Sequence, residues 1–181
     1  MNTYAFRVPR GRELKWKELM ESSETATPAF DRIRIPMKWI YFYQTARERA
    51  ETGQLFCLKT APMFPGYMLA ETEDPTLFQQ ILNSLWTSDG FLYKVPPSRD
   101  PCVVTPTELD RISRLGAEPG TLLRCEGKLK FEEERLQGME DFIWKTDLRK
   151  RRLCLKMSFF GKEHEIWLGF RFAELTAEEN G

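Results

Sequence analysis

The sequence predicts an α+β protein: an antiparallel sheet with helices packed against it, followed by a small all-β barrel. Strand-like and helix-like segments alternate up to Gly116, the turn-forming stretch Gly116-Ala117-Glu118-Pro119-Gly120 comes next, and no helical periodicity follows it. We therefore expect one domain at residues 1–116 and a second at 124–181, joined by a linker at 117–123.

The first domain opens with a strand at residues 3–8, which Pro9-Arg10-Gly11 ends, and a helix over residues 12–22. Residues 30–44 have strand character that Pro36 interrupts, so they predict an edge strand or two pieces. The polar residues 46–54 predict an exposed loop or hairpin tip.

Strand character returns at residues 55–58 and 63–70, around a Pro65-Gly66 turn or bulge. Asp74-Pro75 is typical of a helix start, and apolar residues at helical spacing carry this helix to Trp86. A strand at 91–95 follows. Thr105-Pro106-Thr107-Glu108 is a capping box that opens a helix ending at Gly116.

The second domain shows the alternation of half-buried strands. Apolar and polar residues alternate over 152–159 and again over 165–172, with a short hairpin turn at Gly161 between them. Shorter strand-like segments lie at 129–131 and 142–144. These segments predict a small barrel that stays β.

Composition restricts the class of protein. The chain has 181 residues and a formal net charge of zero. It contains no apolar run of the roughly 20 residues that a membrane-spanning helix needs, and its first residues lack the apolar core of a signal peptide. We expect a soluble cytoplasmic protein without a membrane partner.

Reactive residues give no support to an enzyme. The four cysteines, none in a Cys-x-x-Cys pair, are Cys57, Cys102, Cys125 and Cys154, and His164 is the one histidine. No phosphate-binding or dinucleotide-binding glycine loop occurs. We therefore expect no catalytic residue, no metal and no cofactor, and favour a binding protein.

Two motifs in order resemble one family. Pro62-Met63-Phe64-Pro65-Gly66-Tyr67-Met68-Leu69 is similar to the Phe-Pro-Gly-Tyr strand of the N-terminal (NGN) domain of NusG. Leu136-Gln137-Gly138-Met139-Glu140 and the strands through Phe159-Phe160-Gly161 resemble the KOW domain that follows it. Within the NusG family of transcription factors, the chain looks closest to the specialised LoaP type and more distantly like RfaH.

The resemblance implies a docking site for RNA polymerase. In this family the N-terminal domain binds the clamp helices of the β′ subunit through an apolar patch. The residues expected to contribute to it here are Tyr4, Phe64 and Tyr67. From the residues alone, a role as core aromatics is favoured.

A basic segment in the second domain is a candidate nucleic-acid site. Its six cations, with Asp147 as the one acidic residue among them, are Lys145, Arg149, Lys150, Arg151, Arg152 and Lys156. A charged turn in solvent is the alternative. The resemblance to the LoaP type favours contact with a nascent RNA hairpin, and with non-template DNA as a further partner. Trp144 and Trp167 could stack on bases or belong to the core.

The resemblance as a whole implies a monomeric processive antitermination factor. It would bind the elongating polymerase across its clamp and promote readthrough of pauses and terminators. The alternative is a general NusG-like elongation factor whose KOW domain bridges to Rho or a ribosomal protein. The two differ in whether the basic segment binds RNA.

Overall fold

The computed structural model describes residues 2–24, 26–88, 102–125 and 128–173, which form a mixed α+β fold. The strand predicted at 91–95 lies outside the described residues. Within the described ranges, no helix is both long and apolar enough to span a membrane.

Four α-helices and eleven strands make up the described residues. The helices are α1 (Glu13–Ser22), α2 (Ala46–Thr52), α3 (Pro75–Ser88) and α4 (Pro106–Gly116). The strands are β1 (Asn2–Arg7), β2 (Arg32–Arg34), β3 (Met37–Tyr43), β4 (Phe56–Pro62), β5 (Tyr67–Thr72), β6 (Cys102–Val103), β7 (Gly120–Cys125), β8 (Lys128–Phe131), β9 (Ile143–Asp147), β10 (Arg152–Phe159) and β11 (Lys162–Phe172).

The chain divides into two compact units, each built from separate stretches. Unit 1 comprises Met1–Met37, Pro62–Ile112 and Ser158–Lys162, and unit 2 comprises Lys38–Ala61, Ser113–Met157 and Glu163–Gly181. The hairpin of β3 and β4 therefore groups with the late strands, and the turn between β10 and β11 groups with the early ones. Consecutive domains at residues 1–116 and 124–181 stay a prediction.

Unit 1 is built on a four-stranded antiparallel sheet in the order β2-β5-β1-β6. Helices α1 and α3 contribute Trp16 and Phe78 to a core that also contains Phe6 and Met68 from the sheet. The predicted start of α3 is confirmed, because the Asp74 carboxylate accepts a hydrogen bond from the Leu77 N–H at 2.9 Å.

Unit 2 contains a five-stranded sheet in the order β8-β7-β11-β10-β9 and the two-stranded β3-β4 sheet. Strands β7 and β11 pair in parallel, with Phe170 opposite Gly120. Strand β7 begins inside the stretch that we expected to be a linker. Side chains fully buried in this unit include Leu122, Leu153, Ile166 and Phe170.

The expectation of a loop at 46–54 is wrong, since α2 occupies most of it. None of its seven residues is buried, so the segment lacks the apolar stripe that identifies a helix in sequence. Its ends are instead specified by a Thr45–Glu48 capping box and by Gly53, whose φ of 69° closes the C-terminus.

Candidate functional site

Two of the three residues expected to bind polymerase lie in one aromatic cluster of unit 1. Phe64 is only 2 % exposed. Its ring centroid lies 4.9 Å from that of Phe159 and 5.0 Å from that of Phe160. The half-buried Tyr67 ring also packs on Phe160, at 5.4 Å between centroids. We call these four residues the aromatic cluster.

The turn between Phe64 and Tyr67 is held by a buried carboxylate. Glu13, 3 % exposed, accepts hydrogen bonds from the N–H groups of Gly11 at 3.0 Å and Gly66 at 2.6 Å. Gly66 has a φ of 88°, which glycine adopts without the strain of a β-carbon. The first turn of α1 therefore positions the chain that presents Phe64 and Tyr67.

Tyr4 does not join this cluster. In the β1-β5 register Tyr4 lies opposite Ala70, and Tyr67 lies opposite Arg7. Since neighbouring positions of a strand point to opposite faces, Tyr4 and Tyr67 lie on opposite faces of the sheet. Tyr4 packs against the helix-covered core containing Phe6, at 6.4 Å between ring centroids.

Sequence reasoning did not identify Phe159 and Phe160 as part of the site. The backbone of Phe160 has a φ of 53°, an uncommon conformation for a bulky side chain, and its N–H donates to the Glu108 carboxylate at 2.7 Å. Glu108 also completes the predicted capping box of α4, accepting from the Thr105 N–H at 2.8 Å. One carboxylate thus ties the turn that carries Phe160 to the start of α4.

The middle of the basic segment, Arg149 to Arg151, lies in the turn between β9 and β10, whereas Lys145 is on β9 and Arg152 and Lys156 are on β10. The Arg151 N–H donates to the Leu148 carbonyl at 3.2 Å, and the Lys150 N–H donates to the Asp147 carboxylate at 3.1 Å. Asp147 also pairs with the Lys150 ammonium at 3.5 Å. Arg149 and Arg151 are exposed on this turn.

Arg152 has a different environment from the other cations. Its guanidinium donates to the Tyr41 carbonyl of β3, with 2.7 Å from Nε to the oxygen, and lies 5.5 Å from the centre of the Phe42 ring. Arg151 lies over the Tyr41 ring at 5.9 Å. Arg152 therefore joins the late strands to the β3-β4 hairpin within unit 2, a structural role that its place in a basic run does not indicate.

Lys145 and Lys156 flank an exposed tryptophan. Trp144 is 54 % exposed, and the two ammonium groups lie 5.7 and 4.9 Å from the centre of its ring. Lys156 pairs with Glu163 at 2.9 Å, and this hydrogen-bonded ion pair raises the pKa of Lys156. Trp167, the other tryptophan that we considered for stacking, is half-buried.

Residues 2–24, 26–88, 102–125 and 128–173 contain no group of three or more His, Cys, Asp or Glu side chains that could hold a metal ion. Comparison with protein-family models and with curated proteins finds no match to this chain.

Proposed function

We propose that this protein is a NusG-like transcription antitermination factor that binds the clamp helices of RNA polymerase and contacts nascent RNA. In this proposal unit 1 corresponds to the NGN domain and the five-stranded sheet of unit 2 to the KOW barrel. The protein acts by binding the processive state of the polymerase in preference to the paused state.

The observation that carries the proposal is the aromatic cluster around Phe64 and Tyr67. Both residues belong to the Phe-Pro-Gly-Tyr motif, and both lie beside a turn that Glu13 holds rigidly. Aromatic side chains on such a support are typical anchors for a protein partner, and once uncovered they would suit the faces of a helical pair.

The cover over this cluster imposes one condition on docking. Phe64 is almost fully buried beneath Phe159 and Phe160. Polymerase would therefore contact the half-buried Tyr67 and gain access to Phe64 as the turn that carries Phe160 moves aside. We call the arrangement with Phe159 and Phe160 displaced from Phe64 the open state. Because only molecules in the open state bind fully, the apparent affinity for polymerase is the intrinsic affinity multiplied by the fraction of molecules that are open.

The basic turn supports the nucleic-acid part of the proposal. Arg149 and Arg151 are both exposed on this turn, and the net charge of zero limits indiscriminate binding to nucleic acid. Two local cations on a turn are suited to phosphate contact with a structured RNA.

Tyr67→Ala tests the docking step. Tyr43, an aromatic residue of β3 that is 53 % exposed, provides the matched control Tyr43→Ala. We expect Tyr67→Ala to weaken binding to a β′ clamp-helix fragment by about tenfold or more, since interface tyrosines commonly contribute above about 1 kcal/mol. Tyr43→Ala should bind like the parent. Equal affinity of parent and Tyr67→Ala would reject the docking assignment.

A further inference from the structure

Trp144 is exposed on β9, the edge strand of its sheet, at an irregularity in the pairing with β10. Cys154 lies opposite Lys145, whereas the next residue, Leu155, lies opposite Ile143. Trp144 therefore has no partner across the ladder, which is the arrangement of a β-bulge. In a regular strand Trp144 and Lys145 would point to opposite faces; at the bulge both are exposed.

We propose that Trp144 is a stacking platform for an unpaired base of single-stranded nucleic acid, with Lys145 and Lys156 holding the flanking phosphates. The inference rests on the proposed function, because it specifies what the RNA-contacting unit recognises. The inference adds the uncharged Trp144 to a site that is otherwise assigned by its cations. A site with this ring would bind unpaired nucleotides in preference to a duplex.

Charge and shape together favour this occupant. The ring of Trp144 offers a large apolar face, and two ammonium groups lie within 6 Å of its centre. An unpaired nucleotide supplies both complements, a planar base for the ring and an anionic phosphate for the lysines. The lysine stems are flexible, so amines that lie over the ring in the free protein can move to phosphates when a base takes their place.

Glu163 acts as an internal competitor at this platform. Its carboxylate pairs with the Lys156 ammonium at 2.9 Å, and phosphate would have to replace it. Because both partners are substantially exposed, the exchange of one anion for another costs little. Glu163→Gln removes the competing charge and leaves the shape unchanged, so it should strengthen binding.

The test is fluorescence anisotropy of the full chain with three labelled probes: oligoadenylate RNA, oligoadenylate DNA and an RNA duplex of equal length. We expect Trp144→Ala to lower affinity for the single strands by about 5- to 100-fold, the range found for loss of one stacked base. Trp144→Phe should retain most of the affinity. Leu148→Ala, which removes another exposed apolar side chain (47 % exposed), is the matched control and should bind like the parent.

Duplex affinity should be unaffected by Trp144→Ala, because paired bases cannot stack on the ring. Tighter binding of the RNA strand would indicate that the platform binds the transcript, and tighter binding of the DNA strand would indicate that it binds a displaced DNA strand. Either result supports the stacking platform. Three results would overturn the inference: Trp144→Ala binds single strands with the affinity of the parent, Trp144→Ala loses as much affinity for the duplex as for single strands, or the parent binds none of the oligonucleotides.

Clamp-helix binding separates this inference from the proposed function. Trp144→Ala should bind the β′ fragment like the parent, since Trp144 lies outside the aromatic cluster. If Tyr67→Ala leaves that binding intact while Trp144→Ala abolishes binding to single strands, the polymerase assignment fails and the platform stands. The opposite pattern removes the platform and keeps the polymerase assignment.

Discussion

Phe160 packs against Phe64 with 5.0 Å between ring centroids and an angle of 69° between the rings, close to the edge-to-face arrangement that aromatic pairs favour. The two residues lie in turns that are far apart in the chain, Phe64 between β4 and β5 and Phe160 between β10 and β11. Their contact means that Phe64, a motif residue proposed to anchor a partner, is almost completely covered.

We expect removal of this cover to strengthen docking. Phe160→Gly deletes the ring at a position where the backbone φ of 53° suits glycine, so it need not strain the turn. Phe160 pairs with Phe64, Tyr67 and Phe159, and each pair stabilises the closed arrangement by about 0.5–1.5 kcal/mol beyond its buried area. Loss of the three pairs predicts binding to the clamp-helix fragment that is tighter by at least about tenfold. Isothermal titration calorimetry measures the change.

Glu108→Gln is the companion variant. It weakens the hydrogen bond from the Phe160 N–H but leaves both rings in place, so it should produce a smaller increase in affinity in the same direction. Weaker binding by Phe160→Gly would show that Phe160 belongs to the docking surface itself and does not cover it.

Glu13→Ala should destabilise unit 1. The substitution leaves the N–H groups of Gly11 and Gly66 without their shared acceptor, and hydrogen bonds to charged groups contribute about 1.5–3 kcal/mol each. We expect the free energy of unfolding to fall by about 3–6 kcal/mol in urea titrations. Glu18→Ala, on the same helix, serves as control; a loss as large in that variant would contradict a specific role of Glu13.

The lowered pKa of Lys38 predicts that the free energy of unfolding rises with pH in the alkaline range. Burial lowers its pKa from 10.5 to about 8; nearby Cys154 opposes this shift and Arg152 adds to it. Between about pH 8 and 10.5 the unfolded chain therefore binds more protons than the folded one, so the free energy of unfolding increases with pH. The shift corresponds to about 3 kcal/mol at most.

The matched variant for this test is Lys38→Met, which keeps the stem and removes the charge. Denaturant titrations at several pH values from neutral upward should show the rise in the parent and its loss in the variant. A rise of equal size in both proteins would assign it to other groups.

Substitutions in the basic turn should lower RNA affinity with little effect on the stability of the fold. Arg149→Ala and Arg151→Ala should weaken binding to a leader-RNA hairpin and make its salt dependence shallower by about one unit of slope per lost phosphate contact. The free energy of unfolding should change by less than about 0.5 kcal/mol in Arg149→Ala, and by up to about 1 kcal/mol in Arg151→Ala, which also loses its contact with the Tyr41 ring. Unchanged slopes would favour a general elongation factor that bridges to Rho or a ribosomal protein.

Arg152→Ala should behave in the opposite way. Loss of its hydrogen bonds to the Tyr41 carbonyl removes a tie between β10 and β3, so thermal denaturation should show a destabilisation of about 1.5–3 kcal/mol. Lysine cannot donate from two nitrogens of one planar group to the Tyr41 carbonyl, as Arg152 does. Arg152→Lys should therefore recover only part of the stability that Arg152→Ala loses.

Local rules predicted the ends of elements well. Asp74 and the Thr105–Glu108 box identified α3 and α4 because a helix cap involves residues three apart, and such spacing is visible in sequence. The same spacing occurs at Thr45 and Glu48, but α2 has no buried face, so hydrophobic periodicity does not indicate it.

Long-range contacts could not be predicted in this way. Arg152 lies in a basic run and looks like its neighbours, and only its contact with Tyr41, 111 positions earlier, distinguishes it. Phe64 and Tyr67 were identified by their motif, but nothing near them in the sequence indicates Phe159 and Phe160 as partners. The bulge at Trp144 likewise depends on the register with β10.

The cover over Phe64 also sets an order of events during synthesis. A ribosome makes β1, β2, β5 and α4 before the turn that carries Phe159 and Phe160, so a growing chain that has not reached Phe159 leaves Phe64 and Tyr67 without their aromatic partners. Closing the cluster then requires a contact between distant parts of the chain, which costs loop entropy and is slow. The segment that covers Phe64 is therefore the last part of unit 1 to be synthesised.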